Sequence, residues 1–587
     1  MAGLTDRPFV LLDDARAHGA SPARLYTAPA ETVLARTPGE VAAALAHMKR
    51  ERGHWAGFLS YEAGHALEPK LTPLARDPGL PLLWFGRFEQ YQEIATDEVA
   101  ALLPDAAGAW AGALRPRPSR TDYAAGFDRV MDYIVAGDIY QANLSLRADV
   151  ATAGHPLALY AGLRARAQAG YGGVVWTGED WLLSLSPELF FALQDGKITT
   201  KPMKGTAARG ADDAAIIEAL RTHPKQRAEN LMIVDLLRND LSRVARPGSV
   251  AVPHLFTVET YPTIHTMTST VTAQLADGLG VVDILSAIFP CGSITGAPKI
   301  RAMEIIDAVE GEPRGAYTGS IGRIDPSGDA AFNVAIRTLH LHDGQSRATI
   351  GLGGGIIADS KVGEEWDECL TKGRFVPDPR RFDLFETMRF DPECGMKLLE
   401  RHLSRMKTSA AALDFPFDRH AARNELQAAT FRLHGARRIR LMLSRSGQLA
   451  IEVGPVLPAL DQPALAALVP LPVAPEDFRL RHKTTDRHFY DAARKSAGAF
   501  EVLFTDPQGF ITEGSFTSVF VERNGQLLTP PAERGLLPGI LREELLSSGR
   551  AIEADLRAED LVDGFHLGNA SRGLFPARLC EGLMAVG

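Results

Sequence analysis

Two short segments rich in proline and arginine, Leu114–Ser119 and Thr371–Arg381, divide this chain and limit how large each folded region can be. A proline keeps the residue before it in an extended conformation, so both segments are predicted to be linkers. The chain has 587 residues, which is enough for about three to four domains. We therefore predict three regions, residues 1–115, 116–375 and 376–587.

The composition excludes several classes of function. Apolar residues make up 45% of the chain and charged residues 23%, which is ordinary for a soluble globular protein. The net charge is −9 and no basic block is present, so we expect no nucleic-acid partner. The chain has no apolar run long enough for a bilayer and no signal-peptide core, so no membrane association is expected. Its four cysteines lie far apart, which is typical of reduced thiols and predicts a cytoplasmic protein.

Apolar spacing predicts the main local elements. Residues 123–136, 229–241 and 298–310 each repeat apolar side chains at helical intervals, so each is predicted to be a helix. Residues 501–513 contain two strand-like runs around a turn in which proline and glycine are well placed. This pattern predicts a β-hairpin.

The stretch Thr199–Gly210 places a lysine directly after a predicted strand. Its first two threonines favour a strand, and Pro202 is expected to end it because proline cannot donate to a sheet. Lys204 then precedes Gly205, where the backbone can approach a ligand closely. On these residues alone, Lys204 is most simply a solvated side chain.

Residues 115–375 resemble the chorismate-utilising enzymes, a family that contains the anthranilate, isochorismate, salicylate and aminodeoxychorismate synthases. The motifs that carry the resemblance are Gly137–Ser145, Ser184–Glu188, Glu229–Leu241, Pro290–Ile306 and Gly351–Ile356. Most members of the family carry alanine at the position of Lys204. A lysine there is typical of the members that form aminodeoxychorismate, in which it acts as a nucleophile. Gln141 matches the members that add ammonia, whereas members that add water carry a lysine there, because water must be deprotonated.

The same resemblance implies roles for other residues of this region. Glu188 is expected to protonate the departing C4 hydroxyl, which requires that burial raise its pKa. Glu365, Glu368 and Lys372 fall on one helix face, which in an ordinary helix would be solvated ion pairing. The family instead implies that Glu229, Glu365 and Glu368 bind Mg²⁺, which prefers hard oxygen ligands. The residues implied to contact substrate are Gln141, His265, Thr295, Arg337, Gly355 and Lys372. Taken alone, the histidine among them would be assigned to the core.

From Phe385 onward the chain resembles the fold-type IV pyridoxal-phosphate enzymes of the class IV aminotransferase family. The motifs are Phe385–Arg389, His402–Met406, Arg481–Arg487 and Thr512–Ser518. The resemblance implies that Lys483 binds the cofactor, for which its amine must be neutral and therefore partly desolvated. It also implies that Glu513 pairs with the pyridine nitrogen of pyridoxal phosphate, so that the ring can act as an electron sink. The other implied residues are Arg405, Gly539 and Ile540 at the phosphate, Ser571 as a polar partner, and Arg445 on the substrate side.

Together the two resemblances imply a fold and a function. The fold is α/β (α+β), a large chorismate-binding sheet-and-helix domain followed by a two-lobe pyridoxal-phosphate domain. The function is conversion of chorismate and ammonia to 4-amino-4-deoxychorismate, followed by elimination of pyruvate to give 4-aminobenzoate, a folate precursor. No segment resembles a Cys-His glutaminase, so free ammonia or a separate glutamine amidotransferase is expected. A homodimer formed through the second domain is also implied.

Two alternatives follow from the same residues. An anthranilate synthase fused to an amino-acid aminotransferase fits most of the motifs, although Lys204 argues against its first half. Residues 1–115 are short for the family, and the third region lacks the usual first strand of its family. The second alternative is therefore a binding or regulatory module in which one half has lost activity.

Overall fold

The computed structural model describes residues 4–210, 212–260 and 264–580, and the chain divides into two units. Unit 1 consists of Met1–Leu103, Ala113–Val150 and Tyr160–Pro377, and unit 2 consists of Pro104–Gly112, Ala151–Leu159 and Asp378–Gly587. The last change of unit follows Pro377, beside the predicted boundary at residue 375. Two short pieces of the first half nevertheless belong to unit 2. Residues 114–119, predicted to be a linker, lie within unit 1.

The strands are numbered in chain order. They are β1 Phe9–Asp13, β2 Ala23–Thr27, β3 Glu31–Ala35, β4 His54–Leu59, β5 Leu83–Phe88, β6 Gln92–Ile94, β7 Trp110–Ala111, β8 Arg115–Pro116, β9 Gln141–Ala153, β10 Gly172–Trp176, β11 Asp180–Ser184, β12 Leu189–Gln194, β13 Lys197–Lys201, β14 Met203–Ala208, β15 Ala251–Thr260, β16 Ile264–Gln274, β17 Gly296–Ala297, β18 Ser320–Ile324, β19 Ala330–Asn333, β20 Thr338–His342, β21 Arg347–Ile356, β22 Leu384–Asp391, β23 Gly395–Met396, β24 Arg437–Leu443, β25 Leu449–Pro455, β26 Ala464–Pro470, β27 Glu501–Thr505, β28 Ile511–Gly514, β29 Ser518–Arg523, β30 Gln526–Thr529, β31 Ala551–Glu553, β32 Phe565–Asn569 and β33 Gly573–Leu579.

The α-helices are numbered in the same way. They are α1 Pro38–Arg50, α2 Ala63–Leu67, α3 Val99–Leu102, α4 Arg120–Val135, α5 Pro156–Ala167, α6 Asp213–Thr222, α7 Pro224–Ser242, α8 Val281–Ile288, α9 Lys299–Val309, α10 Val362–Lys372, α11 Leu399–Ala412, α12 Arg419–Thr430, α13 Phe478–Arg481, α14 His488–Ala497 and α15 Ile540–Ser547.

Unit 1 contains two sheets. Their strand orders are β17-β9-β21-β20-β11-β10-β1-β2-β6 and β14-β16-β13-β12-β19-β18-β4-β5-β3. Strands of both sheets pair antiparallel wherever the register is defined, which is typical of the α+β class. The chain crosses from the first sheet to the second at residues 185–188 and returns at residues 334–337. These crossings lie side by side, because Val334 N donates to Glu188 O and Leu185 N donates to Arg337 O, both at 3.0 Å.

Helix α7 supplies much of the core of unit 1. It begins at Pro224, a residue suited to a first helical turn because the N–H it lacks would be unpaired there. Ile233, Leu237 and Leu241 are at most 2% exposed and form the apolar face that their spacing predicts. They belong to one cluster with apolar side chains of the second sheet. The helix is longer at its start than the predicted 229–241.

Unit 2 also contains two sheets, ordered β23-β22-β24-β25 and β28-β27-β26-β33-β32-β29-β30-β31. Strand β26 is parallel to both β27 and β33. Alternate residues of β22 are buried, as the two faces of a strand require, and this places Glu386 between Leu384 and Met388 on the inner face. The predicted hairpin is present, because β27 and β28 pair antiparallel around Asp506–Gly509.

Other predicted elements differ from the structure in detail. The predicted linker at 114–119 instead forms β8, which pairs with β9, because the extended backbone imposed by proline also suits a strand edge. The predicted strand ends before Pro202, but β14 begins directly after this proline and carries Lys204. The predicted helix at 298–310 is α9, with Pro298 as the residue before its first turn. Within the described ranges, no helix combines the length and apolarity that a membrane span requires.

Candidate active sites

Lys204, Gln141 and Gly355 come together in unit 1 although they lie on three different strands, β14, β9 and β21. A β-carbon at position 355 would lie 2.9 Å from Gln141 Nε2 and 3.5 Å from Lys204 Nζ. A side chain there would displace the glutamine, so the close approach requires glycine. Gln141 is 2% exposed, and its Nε2 is buried with no hydrogen-bond partner among the described residues. A buried amide without a partner is unfavourable, so a ligand or water is expected to accept this hydrogen bond.

Glu188 lies at the first crossing between the sheets and is 5% exposed. Ser293 donates its Oγ hydrogen to Glu188 Oε1 at 2.7 Å. Burial raises the pKa of Glu188, while Ser293, Lys204 and Lys372 oppose this shift. A carboxyl group with a raised pKa can hold the proton that a general acid donates. Glu188 therefore has the burial that a general acid at this position needs. The charges of Lys204 and Lys372, two lysines predicted to lie in the site, act on the same carboxyl group.

Helix α10 presents its predicted trio on one face, beside the glycine-rich strand β21. Lys372 Nζ lies 2.8 Å from Glu368 Oε1 and donates to Gly353 O at 2.8 Å. A β-carbon at Gly354 would lie 3.0 Å from Glu365 Oε2, 3.7 Å from the Lys372 amine and 3.9 Å from Glu368 Oε1. The helix face thus contacts the strand where the strand has no side chains.

The two carboxylates of this face differ in their electrostatics. Burial alone would raise the pKa of Glu368, but Lys372, Lys204 and Lys225 outweigh it and lower the pKa. Burial raises the pKa of Glu365, and the neighbouring charge of Glu368 adds to that shift. Glu368 is therefore the more readily ionised of the pair.

The predicted Mg²⁺ ligands fit a metal only in part. Glu365 and Glu368 would supply two hard oxygen ligands, since they lie together on α10. Glu229 is half-buried on α7, and none of the contacts described here joins it to the other two. Over residues 4–210, 212–260 and 264–580, no group of three or more His, Cys, Asp or Glu side chains is placed to hold a metal.

His265 is fully buried and held by protein groups. Its Nδ1 lies 2.9 Å from Thr260 Oγ1, and its Nε2 lies 3.0 Å from Asp213 Oδ1. The histidine is the largest of the effects that lower the pKa of Asp213 to about 2. These contacts would also suit a core histidine, so the predicted contact of His265 with substrate stays a prediction. Residues 261–263, which precede it in its motif, lie outside the described residues.

Thr295 and Arg337 both lie on backbone connections. Thr295 is fully buried and donates its hydroxyl to Gly292 O at 3.2 Å, while Asn143 N donates to Thr295 O at 2.7 Å. Arg337 lies at the second crossing between the sheets and has a positive φ of 51°. Its carbonyl accepts the hydrogen bond that pairs this crossing with the one that carries Glu188.

Unit 2 contains a buried ion-pair network around Glu386, which is 2% exposed. Arg405 donates from Nε at 2.8 Å and from Nη2 at 2.6 Å, and His402 Nδ1 lies 2.7 Å from the same carboxylate. Burial would raise the pKa of Glu386, but Arg405 and His402 outweigh it and hold the pKa well below its usual range. Arg405 also donates to Pro538 O at 2.8 Å, directly before the helix start at Gly539.

Lys483 lies among cations. Burial and the charges of Arg405, Arg487 and Arg440 together lower the pKa of Lys483 to about 7, while Glu386 opposes them. An amine with this pKa is neutral in a large fraction near pH 7, as attack on an aldehyde requires. Its backbone is fixed by Phe385 of β22, whose N donates to Lys483 O at 3.1 Å.

Glu513 is buried within unit 2 and is 5% exposed. Tyr490 donates its hydroxyl to Glu513 Oε1, and Leu537 N donates to Oε2 at 3.1 Å. Burial raises the pKa of Glu513 to about 7, while Arg487 and Tyr490 oppose that shift. Arg487 packs with its guanidinium carbon 4.2 Å from the centre of the Tyr490 ring and so links the surroundings of Lys483 and Glu513.

The segment predicted to bind the cofactor phosphate has a glycine directly before helix α15. Gly539 is the residue before helix α15, and Ile540 is its first residue. A β-carbon at 539 would lie 2.5 Å from Ser518 Oγ, so only glycine leaves the hydroxyl in place. Ser571 lies in the turn between β32 and β33, where its N donates to Asn569 Oδ1 at 3.0 Å. No contact described here joins Ser571 to Lys483, so its predicted role stays a prediction.

Arg445, predicted on the substrate side, packs among aromatic rings. Its guanidinium carbon lies 4.7 Å from the ring centre of Phe415, 4.9 Å from Trp110 and 5.4 Å from Phe382. Burial lowers the pKa of Arg445, opposed by Asp414 and by Asp378. The charges that act on it are thus not those around Lys483. No contact described here joins Arg445 to Lys483, so its predicted place on the substrate side stays a prediction.

The residues of unit 2 fit pyridoxal phosphate. The groups that would contact the cofactor are Lys483, whose pKa is lowered, the buried Glu513, and Arg405 beside the start of a helix. Nη1 of Arg487 and Nε of Arg440 are buried without hydrogen-bond partners in the described part of the chain. The glycine at 539 leaves space where a side chain would collide with Ser518. These are the features expected of a cradle for an anionic ring compound.

Sequence reasoning missed several of these neighbours. In unit 1 they are Ser293 and Lys225; in unit 2 they are Glu386, His402, Arg440, Arg487 and Tyr490. Five of the seven lie in or beside motifs quoted above, but the motif gives no sign of which polar residue points at the site. Arg440 and Lys225 lie outside the motifs and become neighbours only through folding.

The folds and sites of the two units define an enzyme with two catalytic regions. Residues 7–377 match the model of the chorismate binding enzyme family, and residues 383–580 match that of the class IV amino-transferases. The chain belongs to the chorismate binding enzyme family, and its residues 383–580 form a class IV aminotransferase domain. The two family regions and the mixed helix and sheet content that the sequence predicted are thereby confirmed.

Several named proteins are similar to this chain. Aminodeoxychorismate synthase component 1 of Klebsiella aerogenes is 43% identical over 299 residues, which are 50% of this chain and 63% of that protein. The protein of the same name from Salmonella typhimurium is 38% identical over 351 residues, 56% of this chain and 77% of that one. The chain thus spans less than two thirds of the Klebsiella relative. Among solved structures, anthranilate synthase component I of Streptococcus pneumoniae is 25% identical with a TM-score of 0.52, covering 61% of this chain and 92% of that one.

Proposed function

We propose that this chain converts chorismate and ammonia to 4-amino-4-deoxychorismate in unit 1, and that unit 2 eliminates pyruvate from this product to give 4-aminobenzoate. The observation that carries the proposal is that Lys204 and Gln141 meet at Gly355 and that the charge of the same lysine acts on the buried Glu188. These residues are a nucleophile, a proton donor and a neutral amide. The two relatives named aminodeoxychorismate synthase component 1 support the same reaction.

The chemistry of unit 1 follows from these three residues. Lys204 Nζ attacks C2 of the ring, the two ring double bonds shift, and the C4 hydroxyl leaves as water with the proton of Glu188. Ammonia then attacks C4, the double bonds shift back, the lysine amine leaves C2, and the new C4 ammonium returns one proton to Glu188. Ammonia attacks as the neutral molecule, so the glutamine at 141 suffices where a base would be needed to activate water.

Unit 2 is proposed to act with pyridoxal phosphate, which supplies an electron sink when it is bound. Arg405 and the amides at Gly539 and Ile540 would hold its phosphate, and Glu513 would hold its pyridine nitrogen. Lys483 would bind its aldehyde and later take the proton from C4 of the substrate. A pKa of about 7 suits this amine to accept a proton near neutral pH.

Mg²⁺ is proposed at Glu365 and Glu368, with Glu229 as a further ligand and the substrate carboxylate completing the site. The test is Glu368→Gln. It should abolish magnesium-dependent consumption of chorismate while leaving the absorbance of bound pyridoxal phosphate unchanged. Undiminished chorismate consumption by the wild-type chain in excess chelator would contradict the metal site.

The ammonia is proposed to come from a separate glutamine amidotransferase, since the relatives named above are each one component of a synthase. A homodimer through unit 2 is proposed alongside it, and the molar mass in solution tests that part.

One incubation tests the whole proposal. The chain is mixed with chorismate, ammonium, Mg²⁺ and pyridoxal phosphate, and the aromatic product is identified. We expect 4-aminobenzoate together with pyruvate. Anthranilate would favour the alternative synthase, and 4-amino-4-deoxychorismate that is not consumed would identify an inactive unit 2. If no product forms, a module without catalytic activity becomes the better explanation.

A further inference from the structure

A short piece of the first half of the sequence belongs to the core of unit 2. Residues 104–112 fall inside the segment that matches the chorismate binding enzymes, yet they group with residues 378–587. Trp110 is 1% exposed, and its ring centre lies 6.4 Å from that of Phe382. The two rings share one cluster with side chains of β22, the strand that carries Glu386.

Arg380 fixes the backbone of this piece. Its Nη1 donates to Ala107 O at 2.7 Å, and its Nη2 donates to Ala109 O. The same guanidinium is oriented by Asp378, which accepts from Nε at 3.0 Å and from Nη2 at 2.7 Å. Arg380 lies in the segment that the sequence predicts to be a linker. Its hydrogen bonds show that the part of this segment from Asp378 onward is a structured part of unit 2.

The same piece contacts the element that leads to Lys483. A β-carbon at Gly108 would lie 3.3 Å from Asp477 Oδ2. Asp477 is 2% exposed and caps helix α13, because Arg479 N donates to its Oδ1 at 2.8 Å. The Arg479 guanidinium also donates to this carboxylate, with Nη2 to Oδ2 at 2.6 Å. Helix α13 ends two residues before Lys483, so its position sets where the lysine loop begins.

The end of the lysine loop is held by the same two arginines. Asp486, three residues after Lys483, has its Oδ2 3.8 Å from Arg380 Nη1 and its Oδ1 3.8 Å from Arg479 Nη1. One arginine is bonded to the backbone of residues 107–109 and the other to Asp477, which packs against Gly108. Both ends of the loop therefore depend on contacts with residues 104–112.

We propose that Arg380 is a positioning residue for Lys483, and that residues 104–112 form its anchor. This inference rests on the proposed function only in treating Lys483 as the residue that binds the cofactor. Arg380 acts through Asp486 and the backbone and does not itself touch the cofactor or the substrate. Catalysis that depends on a positioned amine is sensitive to small displacements of the loop that carries it.

The test uses the full-length chain loaded with pyridoxal phosphate and compares Arg380→Met with Arg380→Lys. We expect Arg380→Met to shift the pH midpoint of the absorbance of the lysine-bound cofactor and to lower kcat/KM for pyruvate release by roughly 100-fold. Arg380→Lys should recover part of both, because it keeps the charge beside Asp486. Consumption of chorismate by the same samples should stay at the wild-type rate.

A matched pair of tryptophan variants tests the anchor itself. Trp110 and Trp84 are both 1% exposed, but the first belongs to unit 2 and the second to unit 1. Trp110→Leu is expected to weaken binding of pyridoxal phosphate and spare chorismate consumption, and Trp84→Leu is expected to do the reverse. Trp110 lies in the segment that matches the chorismate binding enzymes and outside the class IV match. If the family matches alone set which activity a residue supports, Trp110→Leu would instead impair chorismate consumption and spare cofactor binding.

The outcomes separate the inference from the proposed function. If the wild-type chain develops no cofactor absorbance, the proposed function fails and this inference fails with it. If the wild type binds the cofactor and Arg380→Met has the same pH midpoint and the same kcat/KM, the inference alone is wrong. It is also wrong if Arg380→Met lowers thermal stability but leaves the pH midpoint unchanged, since that result identifies a purely structural residue.

Discussion

Glu188 in unit 1 and Glu386 in unit 2 are equally hidden from solvent, at 5% and 2% exposure, but their pKa values move in opposite directions. The neutral hydroxyl of Ser293 donates to the carboxyl group of Glu188, and burial raises the pKa of this group. Glu386 accepts from the charged Arg405, and the pKa falls despite equal burial. Burial therefore does not define the role of a carboxyl group. The charge of its nearest partner decides whether it becomes a proton donor or a permanent anion.

The two candidate nucleophiles extend this comparison. Lys204 has the carboxyl group of Glu188 in its neighbourhood, whereas Lys483 is surrounded by three arginines that help to lower its pKa to about 7. Each unit thus combines a lysine with a buried glutamate. The units differ in where the surplus positive charge lies, and the following predictions test that difference.

The largest effect is expected for Lys483→Ala, which separates the two units. The variant loses both the group that binds the cofactor and the base that takes the C4 proton, so it should release no pyruvate. It should still consume chorismate at the normal rate and release aminodeoxychorismate, because nothing in unit 1 depends on this lysine. Adding a separate active lyase should restore 4-aminobenzoate. Loss of chorismate consumption would mean that the units are coupled, and pyruvate at the wild-type rate would mean that another lysine is responsible.

Lys204→Ala should cripple formation of aminodeoxychorismate while cofactor absorbance in unit 2 stays normal. Removal of a covalent nucleophile raises the barrier by on the order of 4–8 kcal/mol. The measurement is the rate of synthesis at limiting ammonia, with absorbance of bound pyridoxal phosphate as the control for folding. Near-normal synthesis by the variant would show that Lys204 is not a nucleophile and has only an electrostatic or structural role.

Glu188→Gln should lower the rate of chorismate turnover by about 10²–10⁴-fold, because the amide has the shape of the acid but no proton to give. The free energy of unfolding should change little, since the buried carboxyl group has a neutral partner in Ser293. Turnover and unfolding in denaturant are measured on the same protein. A variant that keeps its turnover would exclude Glu188 as the acid.

Glu386→Gln should act mainly on stability. It leaves Arg405 buried without its counter-charge, and breaking a buried pair in this way costs about 3–5 kcal/mol. The measurement is the free energy of unfolding of unit 2, followed by loss of bound pyridoxal phosphate. Glu188→Gln is the matched control, with the same substitution at similar burial. Equal stability of the two variants would overturn the comparison between the units.

The smallest expected effect is the pH dependence of the unfolding free energy of the Glu386→Gln and Glu188→Gln variants. The two variants are predicted to differ in the sign of this dependence. The pKa of Glu386 is lowered on folding, so its stabilisation is present above the pKa of the unfolded chain and is lost as the pH falls toward the folded value. The pKa of Glu188 is raised, so its ionisation destabilises the fold as the pH rises above the unfolded value. The wild-type-minus-variant difference in unfolding free energy should therefore slope in opposite directions, each by at most about 1.4 kcal/mol per pH unit. Slopes of the same sign would contradict the assignment.

The sequence by itself determined the elements whose cause is local. Spacing on one helix face placed Glu365, Glu368 and Lys372 together on α10, because residues three and four apart face the same way. The predicted hairpin at 501–513 formed because its turn residues meet the requirements of the turn. Motif resemblance located both candidate lysines, and the structure places each beside predicted neighbours.

Only the tertiary structure decided the environments. Ser293 reaches Glu188 across 105 positions of sequence, and the arginines around Lys483 come from helix α11, strand β24 and the loop before α14. Residues 104–112 joined unit 2 although their sequence matches the other family. Desolvation and Coulomb interactions depend on distance in space and on the exclusion of water. Both the distances between groups and the exclusion of water are set only when the chain folds. The sequence therefore shows the residue types, but it does not show their pKa values or their partners.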